Sequence, residues 1–521
     1  MRLGFSSLIA AALLVGPAYA SNGDGKPATA ATPPCASLQP PPLPNVKYLN
    51  VKAAPQTGRC HVDIALTHGA TGDHVVVTVL LPDAAKWNGR FLGLGGGGYV
   101  DAAQTSDLED AVSRGYAAAT TDAGVGTAGT GDWLLRPGTD EVDANALLDF
   151  ASLSTHEMSV IAKALVSSYY GGARAFKSYW SGCSNGGRQG LVEAQRYPTD
   201  YDGILAGSPA LSWHRFTPAG LYGYVVKSRL GYKGPACELT QMRAEAVKAC
   251  DALDGLADGI IAAPHQCRFD PASVVGKPFR CDAPGIGSGT PGDFVFSKEA
   301  ARIADVAWHG GSYRGQPLWH AHGYDADLNG VTYPSPLSQA WVARAVERTP
   351  SFDATTLDDA AFFDMVLKSQ QLYADVIGSA EPNLAPAFRH GTKILSWHGL
   401  ADYAVPYLGT VDYRARVAAS VAAAAGLDVD DSLRVFVAPG VGHCGGGIGP
   451  KPDDPLQALV DWVEGGKPPE RLAATYQGAQ AGKRESLCRL PQMPTYARNG
   501  AVMCVDSAFV KSFKPLPPLH A

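Results

Sequence analysis

At 521 residues the chain is too long for one small domain and fits two or three structural units. Hydrophobic residues make up 46% and charged residues 18%, which allows a large core and excludes global disorder. The net charge of −6 comes without a run of Lys or Arg, so no nucleic-acid footprint or membrane-surface patch is read; a small neutral or apolar partner fits better.

The first twenty residues read as an export signal. Arg2 is the basic start, Leu8 to Val15 the apolar stretch, and Ala18-Tyr19-Ala20 a small-x-small cleavage site before Ser21. The apolar run is short for a membrane span, and no later segment is long and apolar enough for one. Residues 21–45, rich in Pro, Ala and Thr, read as an extended lead-in. From Val46 the pattern is strand-like. Strands are predicted at His74 to Leu81, Arg90 to Leu94, Tyr116 to Thr121, Phe176 to Trp180 and Ile204 to Ala206. A turn is predicted at Gly95 to Gly98, and helices over Ala144 to Tyr170 and Arg188 to Arg196.

Strand and helix in alternation argue a mostly parallel sheet with helices on both faces. The rhythm breaks from about Leu211 to Ala385, an irregular stretch rich in aromatics, and returns at Lys393 to Trp397 and Leu433 to Val437. This predicts a sheet domain in two parts, 46–210 and 386–521, with a large lid inserted at 211–385.

Gly182-Cys183-Ser184-Asn185-Gly186-Gly187 follows a predicted strand and precedes a predicted helix. That is the strand-turn-helix elbow of α/β-hydrolases, which exposes a serine hydroxyl in a strained turn. The alternative is a glycine-rich turn with an idle serine. A serine needs a histidine to remove its proton, and this fold orders the trio as Ser, then acid, then His. Asp402 lies in the loop after the strand at Lys393, and His443 in the loop after the strand at Leu433. His398 is a rival base, and Asp430 or Asp431 rival acids. The oxyanion is expected to take the backbone N–H of Asn185 and one from the Gly95 to Gly98 run, with Gly97 favoured.

The ten cysteines are Cys35, Cys60, Cys183, Cys237, Cys250, Cys267, Cys281, Cys444, Cys488 and Cys504. An even count behind an export signal favours disulfides, and no CxxC pair occurs. Cys183 directly precedes the serine and Cys444 directly follows the histidine. If Ser184 and His443 meet, these neighbours are placed to bridge, closing a loop of about 260 residues.

With this set the chain resembles the tannase and feruloyl esterase family, whose hallmark is a Cys-Ser, Asp, His-Cys constellation joined by that disulfide. Here it falls on Cys183-Ser184, Asp402 and His443-Cys444, and the likeness runs from about Cys35 to Cys504. The resemblance implies an α/β-hydrolase domain with a lid between nucleophile and acid, and hydrolysis of esters of aromatic acids.

Asp251, Asp254 and Asp258 lie close together, with no Lys or Arg between Asp251 and Gln266. Such carboxylates repel unless a hard cation joins them; two Asp-Gly turns are the plain alternative. The family resemblance implies a structural calcium in the lid, held by Asp251, Asp254 and Asp258 and by the carbonyls of Leu256 and Ile260. Cys250–Cys267 is expected to bridge this loop. Cys35–Cys60, Cys237–Cys281 and Cys488–Cys504 are the remaining expected pairs, although spacing alone does not determine connectivity.

The first functional reading is a secreted or periplasmic carboxylic ester hydrolase of feruloyl esterase or tannase type, acting on a small aromatic ester, with monomer and dimer both open. A second is a mono(2-hydroxyethyl) terephthalate hydrolase, which needs a lid cation for the para-carboxylate; Arg302, Arg314, Arg344 and Arg348 are available and nothing selects one. A third, of another class, is a non-catalytic binding protein on a hydrolase scaffold. The lid aromatics suit a planar acyl pocket and a lid core equally.

Overall fold

The computed structural model describes residues 33–69, 72–172, 175–281 and 291–521. The expected export signal and the first part of the lead-in lie outside these residues.

In chain order the first strands are β1 (Val46–Gln56), β2 (Arg59–His68), β3 (Val75–Pro82), β4 (Arg90–Gly97), β5 (Val100–Ala102), β6 (Ala117–Thr121), β7 (Lys177–Cys183) and β8 (Gly203–Gly207). Two small hairpins follow, β9 (Pro278–Cys281) with β10 (Gly292–Val295), and β11 (Ser312–Tyr313) with β12 (Gln316–Pro317). The sheet resumes with β13 (Lys393–Gly399), β14 (Leu433–Ala438), β15 (Pro450–Pro452), β16 (Arg471–Tyr476) and β17 (Arg484–Arg489).

One large mixed sheet runs β1-β2-β3-β6-β4-β7-β8-β13-β14-β17-β16-β15. Its centre, from β6 to β14, is parallel. Antiparallel strands extend it on both sides. With its helices and the helical insertion between β8 and β13, this is the α/β-hydrolase fold.

The central strands are apolar along their whole length because both faces are covered. Phe91, Trp180, Ile204 and Ile394 pack with one helical layer, and their chain neighbours Leu92, Tyr179, Leu205 and Leu395 with the other. The first layer contains α3 (Ser154–Tyr169), α4 (Asn185–Arg196) and the helix Leu408–Ala425; the second contains α1 (Thr105–Ser113) and the helix Pro455–Gly465. Among the described residues no helix is long and apolar enough to cross a membrane.

Three sequence readings change in detail. The predicted helix from Ala144 is α2 (Ala144–Leu148), a π-helical turn at Asp149–Leu153, and α3. A π turn shifts the ladder and frees carbonyls, a local irregularity that side-chain periodicity does not reveal. The glycine run is extended through Gly97, and the chain turns only at Gly98, with φ of 59°. The region 211–385 is largely helical, including Ala236–Cys250, Lys298–His309 and Asp359–Ile377. Asp359–Ile377 buries residues on several faces, which blurs its 3.6-residue period, whereas Ala236–Cys250 keeps a buried stripe at Leu239, Met242, Ala246 and Cys250 that the sequence reading overlooked. Trp213, Phe216, Trp319, Trp341 and Phe362 are buried in a cluster shared with Tyr99, Leu134 and Phe150 of the first sheet part, and a separate cluster around Leu239, Met242, Ile303 and Trp308 lies wholly within the insertion.

Gly190 of α4 rests on Trp180. A Cβ there would lie 2.3 Å from the indole Cδ1 and 2.9 Å from Ile204 Cγ2. Gly190→Ala should therefore destabilise by about 1–3 kcal/mol despite the better helix propensity of Ala. A denaturation midpoint equal to or above the parent's would contradict this packing.

Candidate active site

Ser184 stands alone between the end of β7 and the start of α4, with φ of 61° and ψ of −121°. A non-glycine residue in this region carries about 1–3 kcal/mol of strain, so its surroundings must impose it. They do so by backbone contacts. Ser184 N donates to Gly207 O at 3.0 Å, and Ser184 O accepts from Arg188 N and Ala210 N at 3.0 and 3.1 Å. The turn also requires Gly182 and Gly186. A Cβ on Gly182 would sit 2.4 Å from the Gly186 carbonyl carbon, and one on Gly186 would sit 2.8 Å from Gly96 O.

Asp402 lies three residues past β13 and is 1% exposed. Its Oδ2 is 2.8 Å from His443 Nδ1 and 3.1 Å from His398 Nε2. Its Oδ1 accepts from the N–H groups of Ala404 and Val405, each at 2.9 Å. Burial works to raise the carboxyl pKa, but the facing His443 and His398 outweigh it and hold Asp402 well below the usual carboxylate range.

A disulfide joins Cys183 to Cys444, with Cα atoms 6.0 Å apart across a separation of 261 residues. It therefore brings the serine and histidine loops together through their adjacent residues. No hydrogen bond joins Ser184 Oγ to His443 among the described residues; such bonds are often long until a substrate arrives. The remaining cysteines are joined as Cys35–Cys60, Cys237–Cys281, Cys250–Cys267 and Cys488–Cys504.

The rival residues have other partners. His398 is 1% exposed, with Nδ1 on Thr410 and Nε2 on Asp402 and the Val405 carbonyl. Asp430 pairs with Arg414 and Arg489, and Asp431 lies with it just before β14, at the end of the strand away from His443.

For the oxyanion, Asn185 opens α4, where backbone N–H groups face outward. Leu94 pairs with Ser181 in the ladder of β4 and β7, so Gly97 and Ser184 each lie three residues beyond a matched pair. The Gly96 N–H is engaged by Gln189 Oε1 at 3.1 Å, whereas a Cβ on Gly97 would meet nothing within 4 Å.

The sequence reading missed the network behind this turn. Buried Arg188 donates to Asn185 Oδ1 at 2.7 Å and to the Ala151 and Phe150 carbonyls at 2.9 and 2.8 Å. Both carbonyls belong to the π turn. Asn185 Nδ2 donates to buried Asp101 at 2.8 Å. Burial pushes the Asp101 carboxyl up to about 7, against the opposing pull of Arg188 and Asn185. The available signal was a lone cation in an otherwise small, uncharged helix start.

In the lid, Asp251 accepts from the N–H groups of Asp258 and Gly259, and Asp254 from those of Leu256 and Ala262. Asp258 Oδ1 accepts from Ile260 N, and its buried Oδ2 has no hydrogen-bond partner. Burial pushes Asp254 up to about 6, with Asp258 and Asp251 adding to it. The three carboxylates do not converge to within 4.8 Å of one another, so this stretch offers one unpaired buried oxygen but no closed cluster of ligands. The tighter groupings among the described residues lie elsewhere, at His68, Asp73 and Asp149 and at His156, Glu193 and Asp200; each has ligand atoms within 4.8 Å of one another and could hold a metal ion.

The sequence pattern described as tannase and feruloyl esterase matches residues 60–313 and 329–510. A probable feruloyl esterase of Arthroderma benhamiae is 37% identical over 89% of this chain and 90% of its own. A mono(2-hydroxyethyl) terephthalate hydrolase of Piscinibacter sakaiensis is 30% identical over 86% and 84%. The solved structure of a tannin acyl hydrolase from Aspergillus niger superposes with a TM-score of 0.79 at 27% identity, covering 89% of this chain and 91% of that one.

Replacing Cys183 and Cys444 together by serine should lower the denaturation midpoint, with about 5 kcal/mol as the chain-entropy scale for so long a loop. An unchanged midpoint would show that the bridge does not restrain the two loops.

Proposed function

The chain belongs to the tannase and feruloyl esterase family, and on that premise we propose that it hydrolyses esters of aromatic acids through an acyl-enzyme on Ser184. It is a serine-type carboxylic ester hydrolase, and its partner is a small ester. The observation that carries the residue assignment is the Asp402–His443 hydrogen bond, held beside a strained serine by the Cys183–Cys444 bridge.

In the proposed cycle Ser184 Oγ attacks the ester carbonyl as His443 Nε2 takes its proton. The tetrahedral oxyanion is held by the N–H groups of Asn185 and Gly97; losing one such donor costs about 3 kcal/mol in the barrier. His443 then protonates the departing alcohol. Water, activated by the same imidazole, releases the aromatic acid. Asp402 keeps the His443 proton on Nδ1 and stabilises the imidazolium, and it stays ionised because it is held below the usual range.

We read 46–210 and 386–521 as the hydrolase domain and 211–385 as the lid that covers it. In the lid, Asp251, Asp254 and Asp258, with the carbonyls of Leu256 and Ile260, would hold calcium in a structural role. Five disulfides suit an oxidising compartment, which agrees with export. Three of the four lid arginines open to the terephthalate reading are engaged elsewhere. Arg302 and Arg344 are already paired with Asp305 and Asp132, and Arg314 lies over Tyr313.

Ser184→Ala should abolish turnover of methyl ferulate or methyl gallate while leaving the denaturation midpoint nearly unchanged; substantial residual turnover would refute the nucleophile. In a panel of those two esters and mono(2-hydroxyethyl) terephthalate, at least one of the first pair should be turned over faster than the third; preference for the terephthalate would favour the second reading. Chelation should lower the melting temperature, with calcium restoring it, and leave the chemical step little changed. No shift after verified chelation would count against the lid site. The depressed Asp402 pKa contributes stability that is present above the unfolded value of about 3.9 and lost as pH falls through the folded one. The stability gap between parent and Asp402→Asn should therefore shrink as pH falls below about 4; a gap that keeps growing over that acid range would reverse the sign.

A further inference from the structure

We propose that His398 is a positioning residue for the acid, an imidazole that donates its Nε2–H to Asp402 and fixes the carboxylate in the orientation that serves His443. The inference rests on the Ser184, His443 and Asp402 reading above.

His398 sits on β13, the strand that leads into the acid's loop. Its Nε2 lies 3.1 Å from Asp402 Oδ2 and 2.9 Å from the Val405 carbonyl. Both are acceptors, so Nε2 carries a proton. Nδ1 lies 2.8 Å from Thr410 Oγ1, on the helix Leu408–Ala425. That hydroxyl pins the ring and, by donating to Nδ1, favours the tautomer with the proton on Nε2. With both nitrogens engaged and 1% exposure, the ring is closed to substrate, which leaves orientation as its route to the reaction.

Asp402 is thereby gripped on every polar atom of its side chain. Ala404 N and Val405 N hold Oδ1, while His398 and His443 share Oδ2. The lid adds His322, whose Nδ1 lies 3.1 Å from the Asp402 carbonyl oxygen. The titratable groups facing Asp402 are thus His398 from its own strand, His443 from the loop after β14 and His322 from the lid. Without His398, Oδ2 would keep a single imidazole partner and could swing out of the plane that aligns Nδ1. Its undivided charge would also hold the His443 proton more tightly.

The test compares His398→Leu, His398→Gln and Thr410→Val in the full chain, using a turned-over ester. Leu should lower kcat about 10–100-fold, the scale for losing an orienting partner, with KM within about threefold. The acid limb of the kcat profile should move to higher pH. Gln, whose amide N–H reaches the position of Nε2, should recover most of the loss. Val should shift kcat and the acid limb in the same direction by a smaller amount, and it carries the test if Leu does not fold. Folded Leu and Val variants with kcat within about twofold of the parent and an unmoved acid limb would overturn the inference. So would equal losses in Leu and Gln with no change in pH profile. Labelling of the parent by a serine-reactive phosphonate separates the two levels. No label on Ser184 rejects the triad itself, whereas a labelled Ser184 with an indifferent His398→Leu rejects only the role of His398.

Discussion

Two loops separated by 261 residues are held side by side by one covalent bond, between Cys183 and Cys444. Each cysteine is the immediate neighbour of a side chain that acts in the proposed cycle, Ser184 or His443, so the bond restrains the backbones closest to the proposed chemistry. The parallel centre of the sheet supplies coarse placement, since β7, β13 and β14 end at the same edge. The disulfide and the hydrogen bonds around Asp402 supply the fine placement.

The serine turn works in the opposite sense, as stored strain. Its left-handed backbone is imposed by Gly207 and Ala210 on one side and tolerated only because Gly182 and Gly186 have no side chains to collide. Behind it, buried Arg188 spends its donors on Asn185 and on carbonyls freed by a π turn. A charge this deep persists because its hydrogen bonds are satisfied and an acidic partner, Asp101, lies nearby. The hairpin of β4 and β5, the start of α4 and the π turn are thus joined directly behind Ser184.

Much of this was legible from sequence. Ser184, Asp402 and His443 follow strands in a fixed order, and two cysteines flank the outer pair, so long apolar strands and a short motif were enough to single them out as candidates, and the structure joins Asp402 to His443 and Cys183 to Cys444. The lid was legible only as a break in rhythm, because Trp213, Trp341 and Phe362 are buried in a cluster that also takes in Tyr99 and Phe150 of the sheet domain, contacts that no local spacing reveals. Asp101 and Arg188 were invisible as a pair because 87 positions of sequence separate them and no periodicity links them. His398 was noticed, but as a competitor for His443; only three-dimensional placement shows that it faces the acid.

The most direct test of the account is a rapid acid quench of the protein with methyl ferulate or methyl gallate, followed by mass mapping of the peptide that carries Ser184. The account predicts an acyl adduct on Ser184 during turnover, absent from Ser184→Ala. An adduct on another residue, or turnover that survives loss of the Ser184 hydroxyl, would contradict it.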